Sequence, residues 1–140
     1  MLSPKKFKFR KQQKGRIRGQ ATSGDFLAFG EYAIMATEKG FITARQIESA
    51  RIAMTRKTKR GGQVWIKIFP DTPISKKPAE VRMGKGKGSV DHYSAKVKAG
   101  RVLYEIAGID RDLAVEALRL AAAKLPVKTR LIVKGEDPWA

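Results

Sequence analysis

Short runs in which apolar and polar residues alternate predict β-strands along the chain. Residues 26–37 are rich in apolar and aromatic side chains and predict one or two strands, broken at Gly30. Further runs of this kind predict strands at residues 63–69, 92–97, 101–106 and 127–133. The two runs before and after Ala99-Gly100 are separated by a short connection, which predicts a β-hairpin.

Two stretches repeat their apolar residues with the period of a helix. Thr43, with Gln46 three residues later, forms the signature of a capping box and predicts a helix that runs to about Arg60. Asp110 is predicted to cap a second helix that runs to about Lys124. Helices and strands in this order predict an α+β fold, with two helices packed on a mixed or antiparallel sheet.

The outer faces of the two predicted helices differ in charge. In the first helix, Ile47, Ala50 and Met54 share an apolar face with Thr58 at its edge, and the opposite face is basic. Glu48 is the only acid in that helix, so we expect the basic face to contact phosphates. The alternative is an ordinary solvent-exposed face. The second helix balances its outer charges around a wide apolar face, and it is predicted to be structural.

Composition adds an excess of positive charge to this picture. The chain has 140 residues, with 30 lysines and arginines against 13 aspartates and glutamates, and a net charge of +17. This charge repels itself unless a polyanion neutralises it, so nucleic acid is the first expected partner and an anionic membrane surface the second. The absence of cysteine excludes disulfides, thiol catalysis and cysteine-based metal sites. All apolar runs are shorter than the ~18–20 residues of a transmembrane helix, and a soluble intracellular protein is expected.

The positive charge is concentrated in three segments: residues 1–24, the basic face of the first predicted helix, and the loop at residues 75–89. Residues 1–24 hold eight basic residues and no acid, and they are predicted to form a basic extension that orders on a partner. Residues 25–133 are predicted to form the globular domain, and 134–140 a variable tail. Within the domain, residues 75–89 have no helix or strand period and predict a long loop. Its alternating glycines and lysines allow the backbone to approach a phosphate closely, but match no nucleotide-binding fingerprint.

These three segments supply the candidate nucleic-acid-binding side chains. If the partner is RNA, recognition of its A-form helices relies on phosphates, 2′-hydroxyls and shape, because their major groove is narrow and deep. The candidates are Lys5, Lys6, Lys8, Arg10, Lys11, Lys14, Arg16, Arg18, Arg45, Arg51, Arg56, Lys59, Arg60, Lys76, Lys77, Arg82, Lys85 and Lys87.

Catalytic and metal-binding patterns are sparse in this sequence. His92 is the only histidine, which excludes a histidine-pair metal site, and no cofactor is expected. Ser89 lies three residues before His92, so an RNA-modifying or RNA-cleaving enzyme that uses His92 is an alternative of a different class. A free-standing RNA chaperone or assembly factor is the alternative that shares the same binding chemistry.

Several longer motifs occur together between residues 1 and 133. They are MLSPK at the start, TARQIE at 43–48, AMTR at 53–56, WIKIFPD at 65–71, KPAEVRMGKGKG at 77–88 and AAAKLP at 121–126. Together they closely resemble the large-subunit ribosomal protein uL16 family of bacteria and organelles. Ile52 stands where that family frequently has an arginine.

The resemblance implies a structural constituent of the large ribosomal subunit, without enzymatic activity and with an α/β hammerhead-like fold. It implies large-subunit rRNA, A-site tRNA and neighbouring ribosomal proteins as partners, and a role in late subunit assembly and translation. Arg82, Met83 and Gly84 would lie at the loop tip, near tRNA and the peptidyl-transferase region. One copy per ribosome is implied, not a homo-oligomer and not bound to a membrane. The location would be cytoplasmic, in a bacterial ribosome, with an organellar ribosome as the alternative.

Overall fold

A computed structural model describes residues 2–6, 8–12, 14–22, 24–59, 61–76 and 87–135. Its helices are α1 (Ala44–Thr58) and α2 (Arg111–Ala122). Its strands are β1 (Tyr32–Ala36), β2 (Gly40–Thr43), β3 (Gln63–Ile66), β4 (Thr72–Ser75), β5 (Val90–Val97), β6 (Val102–Ala107) and β7 (Thr129–Val133). The predicted α+β class is confirmed.

The strands form two antiparallel sheets, with the orders β3-β6-β1-β7 and β2-β5-β4. The predicted hairpin across Ala99-Gly100 is therefore wrong, because β5 and β6 belong to different sheets. Between them the chain turns onto the end of β1: the Gly100 N–H donates to the Ala36 carbonyl at 2.7 Å, and the Ala36 N–H donates to the Arg101 carbonyl at 2.8 Å. These bonds separate β6 from β5. Gly100 has a φ of 96°, which a residue with a side chain rarely adopts.

Two short strands were missed in the sequence prediction. β2 leads directly into α1, so the helix-capping signal at Thr43 conceals it. β4 contains Pro73, which has no N–H for a ladder and is confined to sheet edges. The structure satisfies this restriction by placing β4 at the edge of the three-stranded sheet. The first predicted strand is shorter than expected, since only Tyr32–Ala36 is extended within residues 26–37.

The predicted caps are confirmed for α1 but not for α2. Thr43 Oγ1 accepts from the Gln46 N–H at 3.2 Å, and Gln46 Oε1 accepts from the Thr43 N–H at 2.8 Å. The helix ends at Thr58, two residues earlier than predicted, with Lys59 in a left-handed conformation as its C-cap. Asp110 occupies the N-cap position of α2, but its side chain makes no capping hydrogen bond.

Both helices pack on one face of the four-stranded sheet. The apolar face predicted for α1 is confirmed, because Ile47, Ala50, Met54 and Thr58 are its buried residues. These side chains share a core with Ala114, Ala117, Leu118 and Ala121 of α2 and with Ile34, Tyr104 and Ile106 of the sheet. The buried Tyr104 hydroxyl also donates to the Ile47 carbonyl at 2.7 Å, which ties the first helix to the sheet.

The segment before β1 covers the opposite face of the same sheet. Leu27 packs there on a small cluster that includes Ala33, Met35 and Ile132. Glu105 points to this face as well, because it lies opposite Ala33 in the β1–β6 register. Thus the N-terminal part of the domain closes the second face of the sheet.

Glu105 anchors this covering segment. Its side chain is 0% exposed, and Oε1 accepts from the backbone N–H groups of Ala28, Phe29 and Gly30 at 3.1, 2.8 and 2.7 Å. A Cβ at Gly30 would lie 2.9 Å from the Cβ of Glu105, so only glycine permits the close approach. Lys67 Nζ lies 3.8 Å from Oε2 and supplies the positive charge that a buried carboxylate requires.

We expect Glu105→Ala to destabilise the fold by about 3 kcal/mol, because three backbone donors lose a charged acceptor. Glu105→Gln retains an oxygen acceptor and should cost clearly less. The midpoint of urea unfolding measures both changes, with the exposed-face variant Glu116→Gln as control. If Glu105→Ala unfolded at the same urea concentration as the control, the anchoring role would be wrong.

Candidate nucleic-acid interface

The N-terminal extension follows a defined path over the domain in the parts that the structure describes. Ile17 is buried, and Leu2 packs against the main core. The Ala21 N–H donates to the Ala99 carbonyl at 2.9 Å, and the Val102 N–H donates to the Gly24 carbonyl at 2.7 Å. Leu2, Ile17 and the backbone at Ala21 and Gly24 therefore face the domain, whereas Phe9 is 60% exposed. The basic side chains of the extension are all exposed: Lys5, Lys6, Lys8, Arg10, Lys11, Lys14, Arg16 and Arg18.

The outer face of α1 carries exposed basic residues. Arg45, Arg56 and Lys59 are exposed as the helical period predicts. Lys57 is exposed beside them and was missed in the sequence analysis, although Arg56 precedes it directly and Lys59 follows two residues later. Lys57 lies toward α2, where its charge contributes to lowering the pKa of Glu116, after the larger effect of the hydrogen bond from Arg119.

Arg51 differs from the other candidates on this helix because an acid already neutralises it. Its guanidinium forms an ion pair with Glu48, one turn earlier, and Arg51 Nε donates to Glu48 Oε1 at 3.2 Å. This hydrogen bond lowers the pKa of Glu48 and raises the pKa of Arg51, so both groups are charged at neutral pH. Arg51 therefore adds little net positive charge to the surface.

A shallow groove of about 570 Å³ runs along the same helix face. We call it the helix groove, and it is lined by Arg51, Ile52, Thr55, Arg56 and Lys59. Ile52 puts an aliphatic side chain in the groove, so its positive charge comes from Arg56 and Lys59.

Both ends of the 75–89 loop lie close together. The Lys76 N–H donates to the Ser89 carbonyl at 3.1 Å, which extends the β4–β5 pairing and closes the base of the loop. Lys76 and Lys87 are exposed on either side of this base. The remaining candidates of this region and the helix end lie outside the described residues: Arg60, Lys77, Arg82, Met83, Gly84 and Lys85.

The extension and the loop base bind to each other directly. Lys11 Nζ donates to the Lys87 carbonyl at 3.1 Å, and Lys87 Nζ donates to the Gln12 carbonyl. Each lysine donates to a backbone carbonyl of the other segment, and no acidic side chain takes part in these two hydrogen bonds. Two basic segments that are 76 residues apart in the sequence thus form one surface.

The start of α1 joins this surface through Asp91. His92 Nδ1 is hydrogen-bonded to Asp91 Oδ2 at 2.7 Å, and this bond is the main cause that lowers the pKa of Asp91. Lys76 and Arg45 lower it further by their charge. Asp91 is therefore ionised, and the charges of Lys76, just after β4, and of Arg45 in α1 both act on it. We call Lys11, Arg45, Lys76, Lys87 and His92 the loop-base cluster.

A groove of about 630 Å³ lies beside the loop-base cluster. It combines the first residues of the extension with the start of α1 and with β5. Its lining consists of Leu2, Ser3, Thr43, Ala44, Arg45, Asp91, His92 and Tyr93. All three predicted basic segments therefore meet at the base of the Gly/Lys loop.

The alternative of an enzyme that uses His92 lacks support in this geometry. The Nδ1 atom of His92 is bound to Asp91, and the two side chains are 38% and 49% exposed in the wall of an open groove. Within the described ranges, no group of three acidic or histidine side chains is placed to hold a metal ion.

No helix in the described part of the chain is long and apolar enough to cross a membrane.

We expect His92→Ala to raise the pKa of Asp91 toward its ordinary value of 3.8, because the variant removes the hydrogen bond that lowers this pKa most. A pKa lowered by folding stabilises the folded state above the unfolded pKa, and that contribution is lost as the pH falls through the folded pKa. Carboxyl-carbon NMR titration measures the change. The pKa of Glu116 is the internal control, since Arg119 sets it. An unchanged Asp91 pKa would contradict the assignment.

Known proteins resemble this chain over almost its full length. The family model for ribosomal protein L16p/L10e matches residues 4–132. The large ribosomal subunit protein uL16 of Borreliella afzelii (strain PKo) is 63% identical over 136 residues, which is 97% of this chain and 99% of that protein. The corresponding proteins of Borrelia garinii subsp. bavariensis and Borreliella burgdorferi (strain ZS7) are 63% and 62% identical, with the same coverage.

Proposed function

Since the chain belongs to the ribosomal protein L16p/L10e family, in its bacterial form, we propose that its basic surfaces bind large-subunit rRNA beside the A-site tRNA. Membership of this family makes it a structural, non-enzymatic protein of the large ribosomal subunit, located in the ribosome in the cytoplasm. Ribosomal RNA and other ribosomal proteins are its partners as a class. The proposal concerns the residues that make the contacts.

The convergence of the three basic segments at the loop base is the observation that carries the proposal. The loop-base cluster joins the extension to the end of the loop through Lys11 and Lys87, and it brings the charges of Lys76 and Arg45 close to the Asp91 carboxylate. Such a density of exposed positive charge favours binding of a polyanion. Its spread over three chain segments fits the irregular phosphate geometry of folded rRNA better than a regular duplex groove.

The helix groove is the second surface that we assign to rRNA. Arg56 and Lys59 supply its free charge, and Arg45 connects it to the loop-base cluster along one helix face. The basic extension, residues 1–24, would follow the rRNA with its eight exposed cations while its backbone stays on the domain, residues 25–133. We assign no function to the 134–140 tail.

The loop between Lys76 and Lys87 is proposed to carry the contact with tRNA. Its base lies in the loop-base cluster, so rRNA that holds the base would also direct the loop. Arg82, Met83 and Gly84 would then be presented to A-site tRNA near the peptidyl-transferase region, with Lys77, Lys85 and Arg60 as further rRNA contacts. We propose one copy per subunit and a role in late assembly, because the surfaces need rRNA already folded.

The two arginines of the helix groove provide a matched test of rRNA binding. Arg56→Gln should reduce the salt dependence of binding to large-subunit rRNA by roughly 0.7–0.9 in log Kd per log salt, the effect of one phosphate contact. Arg51→Gln should reduce it by less, because Glu48 already neutralises Arg51. Filter binding over a range of salt concentrations measures both slopes. Equal slopes for the wild type and Arg56→Gln would remove the helix groove from the proposed interface.

Sedimentation and cross-linking test the location in the subunit. We expect the chain to stay with large subunits in a high-magnesium gradient at about one copy each. A photoreactive residue at Arg82 should cross-link to tRNA bound in the A site, whereas one at exposed Arg111 on α2 should not. Dissociation into the free fraction would favour the alternative, an RNA chaperone or assembly factor. Retention without a tRNA cross-link would leave rRNA binding and refute the tRNA contact.

A further inference from the structure

The N-terminal extension is docked on the domain both before and after the point where it meets the loop base. Before that point, Leu2 packs against the main core. After it, Ile17 is only 8% exposed, and the Ala21 N–H donates to a backbone carbonyl of the domain at 2.9 Å. Lys11 and Gln12 lie between these docked residues, and we call them the strap. Because the chain is held on both sides, the strap can leave the loop base only over a short distance.

The strap and the loop base bind each other in both directions. Lys11 Nζ donates to the Lys87 carbonyl at 3.1 Å, and Lys87 Nζ donates to the Gln12 carbonyl. Lys87 lies two residues before Ser89, whose carbonyl accepts from the Lys76 N–H at 3.1 Å and closes the loop base. The strap therefore holds the segment that carries the closing hydrogen bond.

Electrostatic repulsion opposes this contact, because Lys11 and Lys87 bring two ammonium groups of the same sign together. The carbonyl acceptors and the docking of the extension on the domain favour it. A phosphate beside the two ammonium groups would offset their repulsion and so strengthen the contact. Each ammonium group has three N–H donors, so it can bind a phosphate and keep its carbonyl acceptor. Closure of the strap and binding of a polyanion therefore favour each other.

We propose that the strap holds the loop base closed before RNA binds, so that the extension and the loop base bind rRNA as one unit. The coupling to RNA rests on the proposed function. It adds that Lys11 is a positioning residue, which acts through Lys87 besides any contact of its own charge with a phosphate. Two basic segments that are already joined lose less conformational freedom on binding than two separate ones, which raises their affinity.

Hydrogen exchange in the free protein tests the strap without RNA. Lys11→Met keeps most of the aliphatic stem but removes the donor to the Lys87 carbonyl. It should increase the exchange rate of the Lys76 amide by about 3-fold or more, because the closing hydrogen bond opens more often. Lys8→Met is the matched control, since the exposed Lys8 ammonium lies 5.7 Å from the ring centre of Phe9 in its own segment. An unchanged rate in Lys11→Met, or an equal increase in Lys8→Met, would overturn the strap.

A double-mutant cycle tests the coupling in binding to large-subunit rRNA. If the two segments bind as one unit, Lys87→Met should cost less affinity once Lys11→Met has released the strap. The loss in the double variant should then be smaller than the product of the single losses by about 3-fold or more. Filter binding at one salt concentration measures all four affinities. The matched control cycle combines Lys11→Met with Arg56→Gln in the helix groove, and its losses should multiply to within about 2-fold.

The outcomes separate the strap from the proposed function. If the losses of Lys11→Met and Lys87→Met simply multiplied, the two lysines would be independent phosphate contacts; the strap would be overturned while the proposed function stands. If the wild type did not bind large-subunit rRNA, the proposed function would fail, and hydrogen exchange would still decide whether the strap holds the loop base. Far-UV circular dichroism checks that every variant is folded.

Discussion

Uncompensated positive charge is the constraint on which this structure depends. A net charge of +17 is carried by 140 residues, and several of the acids act within the fold instead of on the surface. Glu105 anchors a loop, Glu48 neutralises Arg51, and Asp91 is shared by cations at the loop base. Most of the other cations among the described residues are exposed, so they repel one another in the isolated protein, an electrostatic cost that a bound polyanion would remove.

Backbone contacts, more than side-chain contacts, hold the charged segments in place. The extension is attached through Ala21 and Gly24, and the base of the loop through Lys76 and Ser89. Because backbone groups make these attachments, none of the four uses a lysine or arginine side chain. In the contact between Lys11 and Lys87 the acceptors are backbone carbonyl oxygens, and no acidic side chain takes part.

The two faces of the four-stranded sheet have different functions. One face packs against both helices and forms the main core, with Tyr104 tied to the backbone of α1. The other face is closed by the segment before β1, which Glu105 holds. Trp65 lies on this second face, and the covering segment brings Phe29 against it at the surface. A residue that sequence inspection takes for an ordinary strand glutamate thereby positions an aromatic surface.

Local signals in the sequence were sufficient for the α+β class, the capping box at Thr43 and the buried face of α1, because each depends on residues within a few positions of one another. They also identified the basic segments. The separation of β5 from β6 and the meeting of Lys11 with Lys87 were decided only by the tertiary structure. Both depend on residues that are far apart in the sequence. No local pattern encodes that information.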